Sequence, residues 1–147
     1  MKVGFTCGAF DLLHPGHLHL LARASEQCDQ LWVGLHTDPT IDRPQKNKPV
    51  QTSFERYTQL SAVRHVSQII PYDTEADLRN LLAMLPISMR FIGSDYVGRA
   101  ITGEDICSAR KIEIIYIDRL HDWSSSSMRE RIENAKSKDY YGPSYCI

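Results

Sequence analysis

Short apolar runs alternate along this chain with stretches of helical period. Lys2 to Thr6 is a β-rich run, Cys7 to Asp11 breaks it, and from His17 onward Leu18, Leu21, Ala22 and Ser25 fall at helical spacing. The apolar run Leu31 to Leu35 is continuous and ends before Asp38-Pro39, as expected of a strand buried on both faces of a parallel sheet. Ser53 to Val63 predicts a second helix, with Ser53 as N-cap and Phe54, Tyr57 and Leu60 on one side, and Val66 to Ile70 returns as strand. Leu78, Leu81, Leu82 and Leu85 define a helix over 75–85 that Pro86 stops ahead of a strand at Met89 to Ile92. A glycine-rich loop over 93–103 precedes a short helix near 105–110 and a strand at Glu113 to Ile117. The last helix starts within Ser124 to Ser127, where Ser127 and Glu130 have capping-box spacing, and is expected to bury Met128, Ile132 and Ala135 and to end near Ser137. Tyr140 to Ile147 has no period and reads as a tail or a strap.

Strands alternating with helices predict an α/β fold: a single-domain, Rossmann-like, doubly wound parallel sheet of about five strands with flanking helices. The domain would span 1–137, leaving 138–147 as a C-terminal tail. In such a sheet ligands sit at the carboxyl ends of the strands, which selects the loops 7–17, 36–50, 93–103 and 118–127. The second of these carries several prolines with Arg43, Lys46 and Lys48, and is long enough to be a binding insertion.

Composition narrows the function classes. The chain has 147 residues, 42% of them apolar, which suits one globular core. With 17 basic and 18 acidic side chains, a nucleic-acid groove is not expected as the main surface, so any anion site must be local. Neither a long apolar run nor a secretory pattern is present, so a cytoplasmic protein without membrane contact is expected. Cys7, Cys28, Cys107 and Cys146 are widely spaced and read as reduced thiols.

His14-Pro15-Gly16-His17 lies where the first strand feeds the first helix, so backbone N–H groups and two imidazoles can converge on a phosphate at a helix N-terminus. Gly16 allows close approach, and the spacing of His14 and His17 can place their ring nitrogens on one side of the turn. A pair of capped surface histidines would show the same spacing. A zinc site that adds His19 lacks a further strong ligand.

Gly8-Ala9-Phe10-Asp11-Leu12-Leu13-His14-Pro15-Gly16-His17 resembles the G-T/A-F-D-x-x-H-x-G-H signature of the cytidylyltransferase-like nucleotidyltransferases. The resemblance covers about residues 2–133 and is most similar to bacterial glycerol-3-phosphate cytidylyltransferases. It implies that His14 and His17 hold the nucleotide phosphates and stabilise the transition state, and that Gly8, Ala9, Phe10, Asp11 and Gly16 surround them. It places Lys46, with Lys48 as the alternative, and Arg56 and Arg64 near the phosphates of the two substrates. Arg119-Leu120-His121-Asp122-Trp123-Ser124-Ser125-Ser126-Ser127-Met128 matches the second signature in diverged form, which makes Arg119 catalytic and Ser124, Ser125 and Ser126 phosphate contacts. Gly93 and Asp95 fall where the family borders the nucleoside. The implied reaction moves CMP from CTP, with Mg²⁺ on the triphosphate, to a small phosphorylated alcohol, glycerol 3-phosphate first among them. Relatives that use ATP make an adenylyltransferase the alternative, and a non-catalytic nucleotide-binding regulator is another. A homodimer is implied by the family alone.

Overall fold

The computed structural model describes residues 1–137 together with Asp139 and Gly142. The reading of Tyr140 to Ile147 as a tail therefore lies, Gly142 apart, outside the described residues. Five strands, β1 (Val3–Gly8), β2 (Gln30–His36), β3 (Gln68–Tyr72), β4 (Met89–Gly93) and β5 (Glu113–Ile117), form one parallel sheet in the order β3-β2-β1-β4-β5. The helices are α1 (Pro15–Ser25), α2 (Ser53–Ser61), α3 (Glu75–Met84), α4 (Glu104–Ala109) and α5 (Ser125–Asn134). Strand order reverses between β1 and β4, which opens a crevice at their carboxyl ends.

Both sheet faces are covered. Leu21 and Ala24 of α1 and Leu60 of α2 pack with Leu31, Val33, Leu35 and Phe91 on one side, while Leu78 and Leu82 of α3 and Cys107 of α4 pack with Val3, Phe5 and Tyr72 on the other. Apolar burial on two faces explains why β2 reads as a continuous apolar run.

Two helices differ from their patterns. In α2 the N-cap is Thr52, in a capping box with Glu55, rather than Ser53. Its buried residues are Arg56 and Leu60, four apart, while Phe54 is 79% exposed and Tyr57 also faces solvent. In α5 the cap is Ser124, whose side chain accepts from the Ser127 N–H, and Ser127 is not the cap. No residue of α5 is buried, and Ile132 is 51% exposed. That helix is fixed at its first turn by polar bonds: the Ser125 hydroxyl donates to the Asp11 carbonyl at 2.8 Å, and Arg129 pairs with the Asp11 carboxylate at 2.7 Å.

Candidate active site

The turn from β1 into α1 is tightly constrained. Phe10 and Leu12 have φ of 50° and 51°, the left-handed region that side chains with a Cβ rarely occupy, so the surrounding contacts must hold them there. His14 is the N-cap of α1. Its Nδ1 accepts the Gly16 N–H at 3.0 Å, and the His17 Nδ1 in turn accepts the His14 N–H at 3.3 Å, a capping box built from two imidazoles. The rings stack with centroids 3.8 Å apart. Because each Nδ1 is an acceptor, the neutral ring must carry its proton on Nε2, so each imidazole keeps one N–H to offer. Gly16 is required: a Cβ there would stand 2.7 Å from the His14 Cε1 and 2.8 Å from the His121 Cε1.

Burial, then the adjoining His14 ring, pushes His17 down to about 3; Asp11 opposes this and Arg119 adds to it. His14 is lowered too, by burial first and then by His121 and Arg119. Both rings are thus neutral at physiological pH, donors without charge. Holding His17 neutral also couples stability to pH. Between pH 6.5 and about 3 the unfolded chain takes up a proton on His17 that the folded chain refuses. This contribution is fully present above pH 6.5 and is lost as pH falls toward 3, with a slope of up to about 1.4 kcal/mol per pH unit for each such proton. Urea unfolding between pH 7.5 and 5 should show this decline, and His17→Asn should flatten it; equal slopes for parent and variant would show that His17 is not its source.

A cavity of about 480 Å³ opens at the carboxyl ends of β1 and β4. Of the residues singled out by sequence, it brings together Gly8, Ala9, Phe10, Asp11, His17, Lys46, Gly93 and Ser125. His14 stands behind His17, stacked on it. Asp11 is 3% exposed, and its carboxylate accepts the Val50 and Gln51 N–H groups, both at 2.9 Å, as well as Arg129. Asp11 thereby ties the end of the 36–50 loop and α5 to the turn from β1 into α1.

Other candidates stand elsewhere. Arg56 does not line the cavity. Its guanidinium donates to the carbonyls of Gln51, Ala9, His36 and Thr37, which makes it an internal clamp in place of the expected phosphate ligand. Arg64 is exposed beside a separate apolar groove between α1 and the end of α2. Lys48 is exposed, 3.9 Å from Asp38, and does not line the cavity that Lys46 lines. Arg119 donates to the Trp123 carbonyl at 2.7 Å and lies 3.7 Å from Asp95, so both side chains stand outside the cavity lining, near enough to the histidines for Arg119 to affect them. Ser124 serves as cap and Ser126 is exposed. Arg43, named with Lys46 in the expected binding loop, also lines the cavity, whereas sequence reasoning passed over Arg129, one residue beyond the second signature, and Glu75, Tyr72, Arg90 and Thr102, all in the cavity wall. Only Arg90 left a signal, as a lone charge inside an apolar strand.

Among the described residues no group of three His, Cys, Asp or Glu side chains is placed to hold a metal ion, and the Asp11 carboxylate is already filled by two N–H groups and an arginine. These donors do not fit a Mg²⁺ held by the protein alone. Nor, among the described residues, is any helix long and apolar enough to cross a membrane.

A five-stranded parallel α/β sheet in the order β3-β2-β1-β4-β5, with flanking helices and a histidine-capped turn at its switch point, has the Rossmann-like nucleotidyltransferase fold. The model of the family described as Cytidylyltransferase-like matches residues 5–131, and the chain belongs to that family. Bifunctional protein HldE of Rhodopseudomonas palustris (strain BisA53) is 35% identical over 137 residues, 92% of this chain and 28% of the relative. Bifunctional protein HldE of Hyphomonas neptunium is likewise 35% identical over 137 residues. The chain thus spans just over a quarter, 28%, of the length of these curated relatives. They are HldE proteins, so the resemblance holds for the family and not for the glycerol-3-phosphate cytidylyltransferases within it. Among solved structures, the lipopolysaccharide core biosynthesis protein from Thermoplasma volcanium superposes with a TM-score of 0.64 at 22% identity, covering 84% of this chain and 99% of that one. Pantothenate synthetase from Thermus thermophilus does so with a TM-score of 0.61 at 14% identity, over 92% of this chain and 70% of that one. Both share the fold.

Proposed function

We propose that this chain transfers a nucleoside monophosphate, AMP from ATP, to the phosphate of a small phosphorylated acceptor and releases pyrophosphate. The observation that carries the reading is the imidazole capping box: neutral His17, its proton fixed on Nε2, lines a cavity flanked by the first turns of α1 and α5. Such a donor suits a phosphoryl oxygen on which charge grows, because it is preorganised and sits in a partly dehydrated wall. No enzyme nucleophile is needed. An acceptor phosphate is already ionised at neutral pH and attacks the α-phosphorus in line, while Lys46, Arg129 and the hydroxyl of Ser125 border the same space. The triphosphate enters with its divalent cation as part of the substrate.

Two features favour ATP over CTP as donor. The relatives that share a third of the sequence are HldE proteins and not cytidylyltransferases by name. The second signature has also diverged to Leu120 and Trp123, both exposed, beside the Ser94–Asp95 segment that Arg119 joins to it, and a purine would cover more of that apolar surface than a pyrimidine. Calorimetric titration with ATP and CTP is expected to give at least about tenfold tighter binding of ATP, a difference of about 1.4 kcal/mol. Tighter binding of CTP would restore the cytidylyl reading, and binding without pyrophosphate release on any phosphorylated alcohol or sugar would make the chain a regulator.

A further inference from the structure

The lining of the same cavity holds a buried charge, Arg90, that no carboxylate among the described residues meets within ion-pair distance. Arg90 lies within β4, in register with Phe5 of β1, and is 4% exposed while lining the cavity. Its Nη1 donates to the Thr102 carbonyl at 2.5 Å, but its Nε is buried without any partner. Among the described residues no carboxylate comes within 4.0 Å of it. Glu75, the acid in the same wall, is already engaged: Arg43 reaches it at 3.0 Å and the Thr102 hydroxyl donates to it at 2.5 Å. His36 and Tyr72 stack beside these groups with centroids 4.6 Å apart, and burial holds His36 below the usual histidine range, so at neutral pH neither ring adds charge. Within the lining of this recess Arg43 and Arg90 face Glu75, one positive charge in excess there, while Asp42, exposed and outside the lining, accepts the Glu75 N–H at 2.6 Å.

A buried guanidinium with a free edge is costly to a folded chain unless something anionic meets it. Its planar fork matches a carboxylate or phosphate. We propose that this recess binds a second anionic group of the acceptor, remote from the phosphate that takes the nucleotide, with Arg90 as its principal contact and Arg43 beside it. The acceptor class is then a phosphorylated compound with a further carboxylate or phosphate, not a simple phospho-alcohol. The assignment rests on the transfer reading for calling the ligand an acceptor, but its binding can be measured alone.

The test is calorimetry on the intact chain with matched probes: sorbitol 6-phosphate against 6-phosphogluconate, and fructose 6-phosphate against fructose 1,6-bisphosphate. The doubly anionic members are expected to bind about tenfold or more tighter, and the pair that shows the larger gain tells carboxylate from phosphate. Arg90→Gln should bring each pair to within about twofold, and Glu75→Gln, which frees Arg43, should tighten the doubly anionic members about threefold while leaving those with a single phosphate unchanged. Equal affinities within both pairs for the parent chain would overturn the proposal, as would a preference that survives Arg90→Gln. If circular dichroism shows that Arg90→Gln fails to fold, Glu75→Gln decides, and an unchanged preference there counts against the recess. Pyrophosphate release read in parallel separates the two readings. Release with singly phosphorylated alcohols and no anionic preference sinks the recess alone; anionic preference with no release on any acceptor sinks the transfer alone.

Discussion

His17→Ala is expected to lower kcat by roughly 10²–10³, about 2.7–4 kcal/mol of transition-state stabilisation, with a much smaller change in nucleotide affinity. The asymmetry comes from what the imidazole is. His17 is held neutral, with its pKa pushed down to about 3, so it offers no net charge to attract a triphosphate in the ground state. Its Nδ1 is occupied by the His14 N–H, which leaves a single oriented Nε2–H whose value grows as charge builds on the phosphoryl oxygens. The variant also loses the acceptor half of the capping box, worth about 1 kcal/mol of stability, so activity must be compared on protein shown to be folded. His17→Gln should recover part of the rate, since it retains an N–H. Turnover of folded His17→Ala within about threefold of the parent would show that the ring does not contact the reacting phosphate.

Much of this site could be read from the chain because it is local. The segment Gly8 to His17 runs continuously from β1 into α1, and contiguous residues carry both the caps and the close backbone approach. The strands were legible for a related reason: burial on both faces makes central β2 an apolar run, and Glu113 to Ile117 is β5 to the residue, whereas β3, at the sheet edge with Gln68 and Pro71 exposed, lies two residues beyond the expected Val66 to Ile70. What escaped is whatever the topology assembles. Glu75 comes from the start of α3, Arg90 from β4 and Thr102 from the approach to α4, and no spacing rule links them to one another or to Arg43 of the basic loop. Helical periodicity misled where a polar group faces inward. It put Phe54 and Tyr57 on the packed side of α2, which Arg56 in fact occupies, and it gave α5 an apolar anchor, although polar bonds to Asp11 hold that helix. In Ser124 to Ser127 four identical residues compete for one cap, and only the path of the chain selects Ser124.

Arg56→Met should cost about 3 kcal/mol or more of stability, lowering Tm by about 6–12 °C for a chain of this size. Arg56 is only 1% exposed, and no carboxylate among the described residues lies within ion-pair distance; the partners of its guanidinium are chiefly backbone carbonyls. Nε reaches the Gln51 carbonyl at 3.1 Å, Nη1 those of Ala9 and His36 at 2.9 and 2.7 Å, and Nη2 that of Thr37 at 2.5 Å. One side chain thus joins the exit of β1, the end of β2 and the entry to α2. Methionine fills a similar volume but donates nothing, so several buried carbonyls lose their partner at about 1–3 kcal/mol each, partly offset by water and relaxation. Lysine keeps the charge but cannot span carbonyls on three segments, so Arg56→Lys should retain less than half of the lost stability. The expectation differs measurably from that for a phosphate ligand, whose removal would raise the acceptor KM and leave Tm near the parent value. Thermal unfolding followed by circular dichroism, read beside the acceptor KM, decides between them: an unchanged Tm with a raised KM would return Arg56 to the substrate, and a large fall in Tm identifies the clamp.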